Sequence, residues 1–497
     1  MRLRASALAA LLMALTAAGC STVEERRTAA ADDASMRCLQ LYQSLDAVVK
    51  SAGVRDGGEA RVAGFPYLRT NRFLASYRAE PMSSSAQTWW IGRMQTLDTR
   101  ARIIEMKNLP QQYRASLDAR LLNVKDLATD LALCAQELAR RDLSNPDALT
   151  RLRDAVKVSD EYQTWKRVVG LYPLTALVFL QGVTAYHADT RAVFSTPLDA
   201  LPVAGRLVRY EPQAASVETA ATVGAILARA SENPLEIPMP NASELSRLAA
   251  AYAPLLEVDQ VDRNDEIGMP TLGDGNEPRI DVSRPTMFVR VAHTRFEGEP
   301  LLQLVYSVWF PARPRVSTFD LLGGRLDGIT WRVTIDRDGE PILYDTMHNC
   351  GCYHMFFPAA GLRLRPDKAT FEEPALVGGQ LASRPAGARV VLRIAAATHY
   401  LQNVRYTRGP EGVDRRQYTF APDDRLRTLA DAGNARRSLF RPDGIVPGTQ
   451  RGERYLFWPM GIREPGAMRQ WGRHATAFVG RRHFDDPYLV ERYFERW

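Results

Sequence analysis

The spacing of apolar residues changes partway along this chain, and that change limits the fold more than any other feature. From Ser35 to about 256, apolar positions recur three and four apart, the period of a helix with one buried face. Ser35 can cap a helix carrying Cys38, Leu41, Leu45 and Val48 on one face. A second stripe runs through Trp90, Met94, Leu97, Ala101 and Ile104. Beyond Pro110 a third runs through Leu117, Leu121, Val124, Leu127, Leu131, Cys134 and Leu138. Pro173 opens an apolar segment, 173–187, expected to be a buried central helix. From about 286 the period becomes two. Met287–His293, Leu301–Phe310, Arg389–Thr398 and Arg416–Phe420 read as strands. Glycines and prolines crowd 257–285, which reads as a linker. The expectation is an α+β protein: a helical domain over 35–256, the linker, and a β-rich, mainly antiparallel domain over 286–497. A length of 497 residues is in keeping with two or three domains.

Chemistry concentrates in one place. Trp331, Val333 and Ile335 alternate with polar residues, Asp336-Arg337-Asp338-Gly339 supplies a turn, and Ile342 and Tyr344 resume the alternation. This predicts a hairpin of strands 329–336 and 340–347. It leads straight into His348-Asn349-Cys350-Gly351-Cys352-Tyr353-His354, which holds two of the seven histidines and two of the five cysteines. On an extended strand the two cysteines and two histidines share a face but sit roughly 6–7 Å apart. That is too far for common ligation, so any joint role needs a bend, and Gly351 is placed to make it. Three readings stay open. His348, Cys350, Cys352 and His354 could bind a transition metal such as zinc or copper. Cys350 and Cys352 could form a disulfide or structural thiol pair. One cysteine could be a nucleophile activated by a neighbouring histidine.

The first twenty residues carry a different signal. Met1-Arg2-Leu3-Arg4 is basic, Ala5 to Ala18 is an apolar run too short to span a bilayer comfortably, and Thr16-Ala17-Ala18-Gly19-Cys20 follows. This leader resembles the lipobox of bacterial lipoproteins. The resemblance implies removal of a signal peptide, residues 1–19, and acylation of Cys20. Ser21, rather than Asp, implies delivery to the outer membrane. Residues 20–34 then form a flexible tether. With Cys20 acylated, four cysteines remain in an oxidising compartment. Cys38 and Cys134 each lie in the apolar stripe of a helix, so packing of those stripes would join them in a disulfide.

Several functions find no support. The net charge of +7 comes largely from arginine, and no basic helix or aromatic-interleaved basic stripe stands out, so nucleic acid is not an expected partner. Gly323-Gly324 lacks the Lys-Ser/Thr of a phosphate loop. There is no Cys-x-x-Cys-His, His-Glu-x-x-His or Gly-x-Ser-x-Gly. The run around Cys350 is similar to the His-Gly-Cys signature of L,D-transpeptidases, but Asn349 stands where glycine belongs and the following arginine is missing. The expectation is a lipid-anchored envelope protein of binding or structural type, held to the membrane through Cys20, with a protein or cell-envelope polymer as partner. The alternative is a metal- or thiol-dependent envelope enzyme with its site at 345–354.

Overall fold

The computed structural model describes residues 33–497 except 116, 118, 145, 214–217, 367–370, 409–412, 432 and 434, and the side chains of 119, 120 and 124 are also outside it. The leader and Cys20 therefore lie outside the described residues. The rest separates into two compact units: 33–55, 59–81 and 90–158 make the first, and 56–58, 82–89 and 159–497 the second.

The first unit is built on helices α1 (Asp33–Ala52), α2 (Ser84–Lys107), α3 (Val124–Asp142) and α4 (Pro146–Ala155). Helix α1 buries Cys38, Leu39, Tyr42, Leu45 and Val49, and α3 buries Leu127, Leu131, Ala135 and Leu138. These are the three- and four-residue spacings that bring two apolar faces together. Cys38 and Cys134 are joined by a disulfide with their Cα atoms 5.1 Å apart. Beside it the Tyr42 hydroxyl donates to the Leu131 carbonyl at 3.2 Å.

The inward side of α2 carries charge as well as apolar residues. Asp98, Arg102 and Glu105 are buried together with Arg69. Arg69 reaches Asp98 at 3.2 Å and Glu105 at 2.9 Å, while Arg102 reaches Asp98 and Asp46, each at 2.7 Å. A buried charge is tolerated when it is paired and hydrogen-bonded, and this network meets that condition.

The disulfide closes a loop of 96 residues. In the chain-entropy picture such a closure contributes on the order of 4 kcal/mol. Replacing Cys38 and Cys134 together by serine should therefore lower the unfolding midpoint of the first unit by many degrees in calorimetry. An unchanged midpoint would show that the crosslink adds no stability there.

The second unit is organised by one eleven-stranded sheet. Its strands are β1 (Arg206–Pro212), β2 (Leu255–Gln260), β3 (Thr286–Phe296), β4 (Glu299–Arg313), β5 (Gly324–Ile335), β6 (Pro341–His348), β7 (Met355–Pro358), β8 (Leu376–Val377), β9 (Arg389–Ile394), β10 (Leu401–Thr407) and β11 (Asp414–Pro422). They lie in the order β8-β7-β6-β5-β4-β3-β11-β1-β2-β9-β10. From β7 to β3 neighbours are antiparallel and consecutive, a meander. β11 runs parallel to both β3 and β1, β9 parallel to β2, and β8 parallel to β7. The expected hairpin is β5 and β6, turning at Asp336–Gly339, where Gly339 takes φ +84°. β4 is apolar on both faces and lies inside the sheet.

The longer helices described in this unit are α5 (Tyr172–Ser195), α6 (Ala220–Ala230) and α7 (Ala242–Tyr252). Val223, Ile226 and Leu227 of α6 and Leu248 and Tyr252 of α7 join the core with Leu304, Tyr306, Trp331 and Val333 of the sheet. Asn241 and Glu244 close a capping box that starts α7.

The α+β class holds, with helices first and a largely antiparallel sheet after them, but the boundaries differ from the sequence expectation. The division falls near 158, not across a linker at 257–285. Strands β1 and β2 lie within or against the stretch read as helical, and they pair with β11 and β9 from far along the chain. The supposed linker contains the end of β2 and a small hairpin, Met269–Leu272 with Pro278–Asp281. β2 is buried at all six residues and β1 carries the buried Arg209, so neither shows the two-residue alternation of a half-buried strand. The expectation of a buried helix at 173–187 also fails. In α5 only Ala176, His187 and Thr190 are buried, whereas Leu174, Leu177 and Val178 are 65%, 52% and 70% exposed. Among the described residues no helix is long and apolar enough to cross a membrane.

Candidate functional site

The His/Cys run forms the connection between β6 and β7. β6 ends at His348, whose N–H donates to the Cys352 carbonyl at 3.0 Å, and the Gly351 N–H donates back to the His348 carbonyl at 2.7 Å. This is the bend expected at Gly351, which takes φ +91°. A side chain there would also meet the Ala475 carbonyl at 2.7 Å, so glycine is required twice over. Tyr353 follows at φ +60°, an uncommon conformation for a bulky residue.

Asn349 ties the turn to its surroundings. Its carboxamide accepts from Thr330 at 2.8 Å and donates to the Val308 carbonyl at 3.2 Å. Its backbone carbonyl accepts from the Arg469 N–H at 2.9 Å, and the Arg469 guanidinium donates to the Cys350 carbonyl at 2.9 Å. The turn is thus fixed against β4, β5 and the segment 469–476.

The two histidines face carboxylates rather than sulfurs. His348 Nδ1 lies 3.4 Å from Asp327, which also receives His399 Nδ1 at 2.9 Å and Arg451 at 3.3 Å. Burial pushes the Asp327 carboxyl up, but Arg451 and His348 outweigh it and hold it well below the usual carboxylate range. His399 stacks on Phe310 with ring centres 3.9 Å apart. Burial opposes its charge, yet bonds to Asp265 and Asp327 raise its pKa. His354 Nε2 donates to Asp345 at 3.0 Å, and Asp345 is also held by Arg332 at 2.8 Å. Burial prevails over Asp345 and takes His354 down to about 4, leaving a neutral ring whose Nδ1 accepts from Thr476 at 3.2 Å.

His348, Cys350, Cys352 and His354 therefore do not converge. Among the described residues, no three His, Cys, Asp or Glu side chains are arranged to hold a metal ion. The two cysteines do come together. Both are free thiols, and the Cys352 N–H donates to Cys350 Sγ at 3.3 Å. Cys350 is buried among Trp309, Leu326, Phe440 and Met468. A hydrogen bond to Cys350, then burial, pushes the Cys352 thiol well above its ordinary value. A protonated thiol is a poor nucleophile, so this environment does not activate it. Of the other histidines, His474 donates to the Asn349 carbonyl at 3.3 Å, His293 bonds to the Pro238 carbonyl, and His483 faces Asp160. His474 and Asp345 lie near the turn; His293 and His483 take no part in it.

The turn forms one wall of a cavity of about 450 Å³. Helix α5 contributes Val178, Phe179, Gly182, Val183, Tyr186 and His187 to it. Leu456, Phe457, Ile462 and Pro465 also line it, together with Ala475, Ala477 and Phe478. The rings of Phe179, Phe457 and Phe478 form a chain with centres 5.3 and 4.6 Å apart. Tyr186, Tyr353 and Tyr400 form a second group, with centres 4.7 to 6.2 Å apart.

Two carboxyls line this apolar space. Glu373 accepts the Phe478 N–H at 2.8 Å and lies 3.7 Å from Arg482. Glu453 is 3% exposed and its carboxyl makes no hydrogen bond or ion pair among the described residues. Burial pushes it up to about 7, against the fields of Arg451 and Arg313. Gly466 makes room for it, since a Cβ there would collide with the carboxylate oxygen. Sequence reasoning missed Glu453 and the aromatic walls. Glu453 is one acid in an arginine-rich stretch, and nothing local distinguishes it.

The raised Glu453 fixes a pH dependence. Ionising it costs more in the folded than in the unfolded chain, where its pKa is near 4.5. The cost is absent below about pH 4.5, grows as pH rises, and is complete above about 7. Glu453→Gln should thus be more stable than the parent at pH 8 by on the order of 2 kcal/mol, and lose the advantage at pH 4.5. Urea unfolding at the two pH values measures this. Equal differences at both would mean that the carboxyl is hydrated.

Comparison with family models, curated proteins and solved structures finds no match for the chain.

Proposed function

We propose that the chain is a lipid-anchored protein of the bacterial envelope whose second unit binds an apolar, lipid-like ligand. The observation that carries this reading is the 450 Å³ cavity, walled by aliphatic and aromatic side chains with few polar groups. Pockets of this size and character are where proteins hold small ligands. Its rim adds support. Val178 and Leu456 line the cavity and are largely exposed, and Leu174, Leu177 and Tyr455 continue the apolar surface around them. An exposed apolar patch beside an apolar cavity suits a ligand that arrives from a lipid phase. The lipobox-like leader, with Cys20 as the acylated residue, would hold the protein at such a phase. The thiol-enzyme alternative is less well supported, because its surroundings hold the Cys352 thiol well above its ordinary value and His348 and His354 pair with carboxylates.

Two experiments test the two halves of this proposal. For the anchor, Cys20→Ala should abolish labelling by radioactive palmitate in growing cells; continued labelling would exclude acylation at that residue. For the cavity, the protein should enhance the fluorescence of N-phenyl-1-naphthylamine at micromolar dye. Gly182 faces the cavity from α5, and a Cβ added there meets nothing within 4 Å. Gly182→Trp should therefore fold normally, block the mouth and weaken dye binding at least tenfold. Undiminished binding by that variant would place the dye elsewhere.

A further inference from the structure

We propose that this cavity selects ligands with a cationic head, an ammonium group on an apolar chain, with Glu453 as counter-ion and Tyr353 and Tyr186 as walls of the head-group site. The inference rests on the cavity being a ligand site and adds the chemistry of its ligand.

Charge at the wall is the first argument. The lining includes the carboxyls of Glu453 and Glu373 and, among the described residues, no lysine or arginine. Glu373 is already engaged by Phe478 and Arg482, so Glu453 is the carboxyl left for a ligand. A buried carboxylate without a partner is costly, and structures keep such groups where a ligand completes them. A ligand ammonium would supply both the missing charge and the missing hydrogen-bond donor, or for a quaternary head the charge alone.

The surrounding rings are the second argument. Tyr353 and Tyr186 lie 5.3 Å apart, and both line the cavity. Aromatic faces attract cations, most strongly when water is excluded. Burial, Tyr400 and Cys352 chiefly raise the Tyr353 hydroxyl, and Cys350 and burial the Cys352 thiol; the charge of Glu453 adds to both, which places the acid and the rings in one electrostatic neighbourhood. The backbone at Tyr353 is held at φ +60°, so the ring's position is built into the turn rather than chosen by its rotamer alone.

Opposing charges stand behind the wall. Arg313, Arg451 and Arg469 act on Glu453 electrostatically, and Asp327 counters them. Arg313 lies over the Tyr400 ring at 4.9 Å, and its charge reaches Tyr353 and Tyr186 as well. None of the three arginines lines the cavity. A ligand inside therefore meets the carboxylate directly and the arginines only through protein.

A matched set of twelve-carbon amphiphiles isolates the head group. Dodecyltrimethylammonium, 1-dodecanol and dodecyl sulfate, all below their micelle concentrations, would compete with the bound naphthylamine dye on the whole chain at pH 8, where Glu453 is ionised. The cation should bind at least tenfold more tightly than the alcohol, and the sulfate should bind least. In Glu453→Gln the ratio of cation to alcohol affinity should fall at least tenfold, while Glu453→Asp should retain part of it. Because Glu453→Gln is expected to be the more stable protein at this pH, lost selectivity cannot be put down to misfolding. Equal affinity for cation and alcohol in the parent, or an unchanged ratio in Glu453→Gln, overturns the cation reading and leaves the apolar cavity standing. Failure of the dye and all three amphiphiles to bind removes the cavity as a ligand site, and this inference with it.

Discussion

Two buried carboxylates, Asp327 and Asp345, hold the geometry on which the candidate site depends. Asp327 sits near the start of β5 and gathers His348, His399 and Arg451; Asp345 sits in β6 and gathers Arg332 and His354. Between them they fix both histidines that flank the Cys-Gly-Cys turn. With those rings committed, the turn has little freedom, and Tyr353 is presented to the cavity. Removing either acid would leave buried cations without a partner, which costs more than the pairing itself provides. Such networks are weak sources of stability and strong sources of specificity. Here the specific outcome is the direction of a few side chains at the cavity wall.

The same logic separates the two thiols from chemistry. A reactive cysteine sits in an electropositive, partly open setting that favours the thiolate. Cys350 is packed in an apolar cluster, and Cys352 has Cys350 and the field of Glu453 beside it. Each of these influences favours the protonated form. The concentration of His and Cys that stands out in the sequence is therefore mostly architecture. Histidines complete buried ion networks, and cysteines fill small apolar space with a weak hydrogen bond between turn and sulfur.

Local signals account for what the sequence disclosed. The β5–β6 hairpin was legible because Trp331, Val333 and Ile335 alternate into an Asp-rich turn ending in Gly339. The meeting of Cys38 and Cys134 was legible because each lies in a long, regular helical stripe. The bend at Gly351 followed from glycine between two residues facing one way. What stayed hidden is non-local. β1 carries Arg209, buried against Glu257 of β2, so neither strand shows a clean apolar alternation. α5 looked like a core helix because its residues are apolar on most sides, but composition cannot say that the surrounding chain leaves that surface open. Glu453 was invisible for a different reason. Its character comes from having no partner in a cavity whose walls arrive from seven separate stretches of the chain.

That missing partner bears on why the site persists. A glutamine at position 453 would remove a desolvated carboxylate at no loss of volume, and Gly466 would still accommodate it. On stability alone the acid is the poorer choice at neutral pH, by the same burial that raises it to about 7. Around it the aromatic rings pack against one another and the neighbouring acids Glu373, Asp327 and Asp345 are paired, although Arg451 Nε, Arg469 Nη1 and His187 Nδ1 are buried without a hydrogen bond among the described residues. A partnerless acid on the wall of an apolar cavity is the pattern expected where function, and not folding, sets the residue. The carboxyl lines that cavity rather than solid core. A desolvated charge at that position strengthens any attraction to an entering counter-ion, because little water remains to screen it. Under the proposed cation reading, the stability that the acid gives up would be available as selectivity for the ligand.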